Sequence, residues 1–192
     1  MVMPRLALTF DDGPDPDWTP RLLDVLDEVG ARVTFFPIAS RAAAHPEVIS
    51  RIVAGGHSIG LHCDEHVRHS QRSINWGRQD TARALDLLRS VGVRPTLWRT
   101  PWGNAAPWSD EVARENGLRI ICWTVDTHDW RGDAAADMFH ATRDGLRDGA
   151  IVLAHDWIGP GARRIDVRET IAYTRLVAEH AMETGLDLET VE

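Results

Sequence analysis

Short apolar runs alternate with amphipathic, helix-length stretches along the whole of this 192-residue chain. That alternation limits the fold more than anything else in the sequence. Strands separated by helices pair in parallel and build an α/β domain. Strands are expected at residues 6–10, 33–38, 58–61, 96–99, 118–125 and 150–154, with a further short one near 186–188. Helices are expected at 20–29, 46–53, 80–89, 110–115, 134–146 and 168–184. In the first helix Leu22, Leu23, Val25, Leu26 and Val29 form one stripe and Gly30 is the stop signal. The pattern gives about seven strand–helix units. Residues with chemical capability follow nearly every strand, which favours a closed or partly open β/α barrel over a flat doubly wound sheet. No repeat, low-complexity tract or linker divides the chain, so residues 1–192 read as one domain.

Composition removes several classes of function. A formal net charge of −8 disfavours nucleic acid and anionic membranes as partners. No apolar run approaches the roughly 18 residues of a membrane span. Two cysteines, Cys63 and Cys122, do not make a disulfide framework. All 21 basic residues are arginine, which reads as codon bias rather than mechanism. The first strand starts near residue 5, which leaves no room for a signal peptide. The expectation is a cytoplasmic protein if Met1 is the native start, and a secreted or cell-wall protein if a leader has been removed.

The chemistry begins at Thr9-Phe10-Asp11-Asp12-Gly13-Pro14. Neighbours on a strand point to opposite faces, so Asp11 and Asp12 can serve one site only if the backbone turns there, and Gly13-Pro14 supplies a turn. Asp12 can then bind a cation while Asp11 stays free as a base; a plain surface turn is the competing reading. His62 and His66 have the i, i+4 spacing that puts two imidazoles on one face of a helical turn, a common zinc arrangement, or they are two unrelated polar histidines. His57, beside Gly55-Gly56, reads as a turn residue, and His69 as solvated. Arg99 precedes Pro101-Trp102-Gly103, where an arginine can hold a carboxylate ionised and a rigid loop can aim an N–H at an oxyanion. Asp126-Thr127-His128-Asp129-Trp130 and Leu153-Ala154-His155-Asp156 each follow an apolar strand, and a histidine with a distant aspartate suits a general acid and its orienter. A common rim at the strand ends would collect all five motifs.

This ordered set resembles the polysaccharide deacetylase family, carbohydrate esterase family four, from about Arg5 to the last helix. The resemblance rests on Thr9 to Pro14, His62-x3-His66, Arg99-x-Pro101-Trp102-Gly103, Asp126-x2-Asp129-Trp130 and Leu153-x-His155. It implies a distorted β/α barrel and a divalent metal, usually zinc, with cobalt or manganese as substitutes, on Asp12, His62 and His66. It makes Asp11 the base, His155 the acid, Arg99 the orienter of Asp11 and Asp129 the orienter of His155. Trp130 and Leu153 would line a pocket for the acetyl methyl, and the Trp102 N–H would help hold the oxyanion. The chain departs from the family at Cys63, where Ser or Thr is usual, at Leu61, where asparagine is common, and at Trp102, where tyrosine is common. A thiolate at Cys63 is also a conceivable ligand, although position i+1 points away from the His62/His66 face.

The function implied is removal of acetyl groups from N-acetylated amino sugars such as chitin oligomers or peptidoglycan, by metal-activated water. A small N-acetylated metabolite, a cyclic amide and an O-acetyl ester are alternative substrates, and a metal-stabilised sugar-binding domain without turnover is the alternative outside enzymes. Trp76, Trp102, Trp108, Trp130 and Trp157 are candidate stacking platforms for sugar rings, with core packing as the competing role. The sequence carries no signal for an oligomeric state.

Overall fold

The computed structural model describes residues 4–191; residues 1–3 and 192, the two ends of the expected domain, lie outside it. The chain runs β1 (Arg5–Asp11), α1 (Trp18–Val29), β2 (Thr34–Phe36), α2 (Ala39–Ala44), α3 (Pro46–Ala54) and β3 (Ser58–Ile59). It continues through α4 (Ile74–Ser90), β4 (Leu97–Trp98), α5 (Ser109–Glu115), β5 (Arg119–Ile120) and β6 (Val125–Asp126). It closes with α6 (Ala135–Thr142), β7 (Ile151–His155), α7 (Arg168–Thr184) and β8 (Asp187–Leu188).

Every pairing is parallel, as crossover helices require. The main sheet has the order β3-β2-β1-β7-β6, with β8 paired to the start of β1. β4 and β5 form a second sheet, tied to the first by a bridge between Leu61 and Trp98. Among the described residues no strand pairing joins β5 to β6. The result is the distorted β/α barrel expected, open along one seam.

Strand alternation gives two cores. Leu6, Leu8, Phe10, Val152 and Ala154 face outward and pack with Leu22, Leu26, Ile49, Tyr173 and Val177 of the helices. Each of the Leu, Val, Ile and Phe side chains contributes about 1.5–3 kcal/mol by burial. Inside the barrel lies a smaller cluster of Phe36, Leu97 and Ile121. Thr9 and Arg99 share that interior, both fully buried.

Three elements differ from expectation. The run 118–125 is two strands, because β5 pairs with β4 and β6 with β7, so the chain changes neighbours between them. α4 begins at Ile74 rather than 80, capped by the Ser73 hydroxyl accepting from the Trp76 N–H. Its polar first turns and Gly77, which lies against the Trp108 ring, hide it from the apolar pattern. α2 is too short to show a period. Among the described residues no helix is long and apolar enough to cross a membrane.

Candidate active site

Asp11 ends β1 and Asp12 follows with a left-handed φ of 78°. The turn therefore begins at Asp12 itself, one residue before Gly13-Pro14, and aspartate is among the residues that tolerate this conformation. It brings both carboxylates to one cleft. Gly13 donates its N–H to Asp156 Oδ1 at 3.1 Å, and Thr19 donates its hydroxyl to Asp156 Oδ2 at 2.6 Å. A Cβ on Gly13 would fall 2.1 Å from that carboxylate, so only glycine fits. Burial pushes the Asp156 carboxyl up to about 7.

His62 and His66 are brought together with ring centroids 5.2 Å apart, but by an irregular loop rather than the expected helical turn. The helix is pre-empted on both sides. Cys63 is held in a parallel bridge to Ile38, and the N–H groups of Asp64 and Glu65 donate to the Asp80 carboxylate. His62 Nδ1 lies 2.6 Å from the Arg99 carbonyl oxygen, which assigns the proton to Nδ1 and leaves the Nε2 lone pair free. The Nε2 atoms of His62 and His66 are each 3.3 Å from Asp12 Oδ1.

Asp12, His62 and the half-buried His66 converge here, their ligand atoms within 4.8 Å of one another, and Asp12 Oδ1 makes no hydrogen bond. A tetrahedral ion with bonds of about 2.0–2.1 Å sets its ligands roughly 3.3 Å apart, so the donor set could hold a divalent cation. Burial alone would raise the Asp12 carboxyl, but the His62, His155 and His66 rings outweigh it and hold it below the ordinary carboxylate range. Burial keeps His66 below the usual imidazole value, hence neutral and able to ligate. Cys63 is not part of the group, and burial pushes its thiol well up, so it stays protonated.

Arg99 reaches Asp11 from the barrel interior. One guanidinium nitrogen donates to Asp11 Oδ1 at 2.9 Å and to Thr9 Oγ1 at 2.6 Å, and the group lies 4.3 Å from the centre of the Phe36 ring. Asp11 is the register partner of His155 on β7. His155 Nδ1 is 2.7 Å from Asp129 Oδ1, while Asp129 Oδ2 accepts the His155 backbone N–H at 2.9 Å. Burial works against a charged His155, but Asp129, then Asp12 and Asp11, push it up to about 9.

Two residues of this network had no signal in the sequence. Arg164 donates to Asp129 Oδ2 at 2.7 Å and to the carbonyls of His155 and Trp157, and the Thr170 hydroxyl donates to the same Asp129 oxygen at 2.8 Å. Burial would raise Asp129; His155, Arg164 and Thr170 bring it down to about 2. Arg164 belongs to no motif in the sequence, and only the fold turns it inward.

The cleft has a volume of about 320 Å³, and Asp11, Asp12, His62, His66, Leu153 and His155 all line it. Trp102, Trp130 and Trp157 are in its wall, joined by Trp123, which the sequence did not single out. Trp102 has a left-handed φ of 54° and packs its ring 4.2 Å from His66. Trp76 and Trp108 lie elsewhere. With Trp98 they surround His69, at ring distances of 5.4–5.7 Å. His69 is thus buried, not solvated, and burial pushes it down to about 4. His57 is structural as expected, accepting the Val33 N–H at 3.3 Å.

Residues 3–121 match the polysaccharide deacetylase family model. The chain is 36% identical over 153 residues to the peptidoglycan-N-acetylglucosamine deacetylase PgdA of Listeria monocytogenes, covering 79% of this chain and 32% of that protein. It therefore spans about a third of the length of that relative. It is 35% identical to a chitooligosaccharide deacetylase of Bradyrhizobium, covering 82% of this chain and 73% of that one. The solved peptidoglycan deacetylase PdaC of Bacillus subtilis superposes with a TM-score of 0.85 at 28% identity, covering 98% of this chain and 88% of that chain. On sequence and on fold together, the chain belongs to the polysaccharide deacetylase family, carbohydrate esterase family four.

Proposed function

We propose that this chain is a divalent-metal-dependent hydrolase that removes acetyl groups from N-acetylated amino sugars. The observation that carries this reading is the convergence in one cleft of three kinds of group. They are a three-residue cation site, a carboxylate held by a buried arginine, and a histidine paired with a buried aspartate. The names of the Listeria and Bradyrhizobium relatives support a glycan substrate.

Asp12, His62 and His66 would hold the cation, and two imidazoles with one carboxylate suit zinc. Bound there, it would supply Lewis-acid chemistry, lowering the pKa of a water and polarising the acetyl carbonyl. Asp11 accepts the proton of the attacking water, and Arg99 keeps its carboxylate aimed. The Trp102 N–H donates to the oxyanion, and Trp130 and Leu153 enclose the acetyl methyl. His155, protonated because Asp129 is charged, gives its Nε2 proton to the departing amine.

Acetate release from N-acetylglucosamine oligomers and peptidoglycan fragments tests the reading. Zinc-loaded protein should release acetate and chelator-treated protein should not. A zinc-loaded chain that releases acetate from neither substrate would overturn it.

A further inference from the structure

Asp80 lies in α4, away from the cleft, with its carboxylate almost completely buried. It accepts the N–H of Asp64 at 3.2 Å and of Glu65 at 2.9 Å. These are two of the three residues between His62 and His66. Arg83, one turn along the same helix, closes the arrangement from outside. It donates to Asp64 Oδ2 at 3.0 Å, Glu65 Oε1 at 2.9 Å and Asp80 Oδ1 at 3.4 Å.

A loop without regular structure must find partners for its amides, and here one helix side chain supplies two of them. The start of the loop is tied down separately: the His62 N–H donates to the Pro37 carbonyl at 3.2 Å, the His62 carbonyl accepts the Trp98 Nε1–H at 2.9 Å, and the Cys63 carbonyl accepts the Ala39 N–H at 2.8 Å. The Cys63 side chain is a weak hydrogen-bonding group. The strong brace on the segment leading to His66 is therefore the Asp80 carboxylate. Toward the core its neighbours on the helix, Ala84 and Leu85, are apolar, so the carboxylate finds its polar partners only in the loop amides and Arg83.

We propose that Asp80 is a positioning residue for the cation site, its carboxylate anchored in α4 and holding the turn that carries His62 and His66 in ligating geometry. This rests on the reading that Asp12, His62 and His66 bind a divalent cation. Groups that orient metal ligands from behind typically change affinity by about 10–100-fold when removed. Asparagine keeps the shape but offers one acceptor oxygen instead of two, so Asp80→Asn should fall between wild type and Asp80→Ala.

The test is zinc affinity of the full chain by competition with a chromogenic chelator, with melting temperature measured alongside. Asp80→Ala should weaken zinc by about 10–100-fold. Leu85→Ala, a buried substitution on the same helix, should lower the melting temperature and leave zinc affinity unchanged. The proposal is overturned if Asp80→Ala binds zinc within about twofold of wild type, a factor below the expected range. It is overturned equally if Leu85→Ala weakens zinc as much as Asp80→Ala does. Should Asp80→Ala fail to fold, the near-isosteric Asp80→Asn decides by the same comparison. A wild-type chain that takes up no zinc overturns both the cation reading and this proposal, whereas zinc uptake without acetate release overturns only the deacetylase reading.

Discussion

The end of β1 and the end of β7 lie side by side at the cleft and reach their geometry by opposite means. The first is local. Thr9, Asp11 and Asp12 are within four residues of one another, and strand alternation followed by one left-handed residue aims all three. The second is assembled. His155 depends on Asp129, Asp129 on Arg164 and Thr170, and the four positions run from residue 129 to residue 170, drawn from β7, α7 and the segments before each. A contiguous motif carries its own geometry. A dispersed one borrows it from the packing of α7 on the barrel, and it is correspondingly exposed to changes far from the substrate.

The contrast can be broken most directly at Asp11. Asp11→Asn should keep zinc affinity and lose about 10²–10⁴ in turnover, the usual worth of a general base. Turnover within tenfold of wild type would remove the β1 turn from proton transfer. A smaller effect is expected on the neighbouring strand. Asp129→Asn removes the charge that holds His155 at about 9. If His155 returns to its ordinary value of 6.5, its protonated fraction at pH 8 falls about 30-fold, and the alkaline limb of the pH–rate profile moves down with it. An unmoved limb would show that His155 is not the acid. The smallest effect concerns Asp156, the residue that joins the two regions. Its carboxyl binds a proton more tightly folded, at about 7, than at its ordinary 3.8. Its stabilisation is full below about pH 4 and is lost as pH rises through about 7, so Asp156→Asn should flatten part of the fall in melting temperature across that window. Identical slopes in mutant and wild type would count against a buried, proton-holding Asp156.

What could be read from the sequence follows the same division. The 168–184 helix coincides with α7, and the strand expected at 6–10 lies within one residue of β1 at each end, because apolar periodicity is a local property. The meeting of Asp12, His62 and His66 was legible too, since each sits in a short motif. The His62/His66 loop was not, because spacing alone suggests a helical turn and the Asp80 carboxylate that replaces it comes from fifteen to sixteen residues further along. His69 shows the same limit. Polarity predicts exposure, and nothing local reveals that Trp76, Trp98 and Trp108 will enclose it.

Asp11 and His155 occupy the same rung of two adjacent parallel strands. Neighbouring strands stand about 4.8 Å apart whatever connects them. The backbone separation of the two residues assigned to proton transfer is therefore a lattice constant of the sheet, not a product of loop design. A slip of one residue in β7 would turn His155 to the outer face, so the same hydrophobic pattern that sets the register also guards the chemistry. Surface loops can lengthen, shrink or be exchanged around this pair without retuning it, and substrate preference is free to diverge while the reaction stays put.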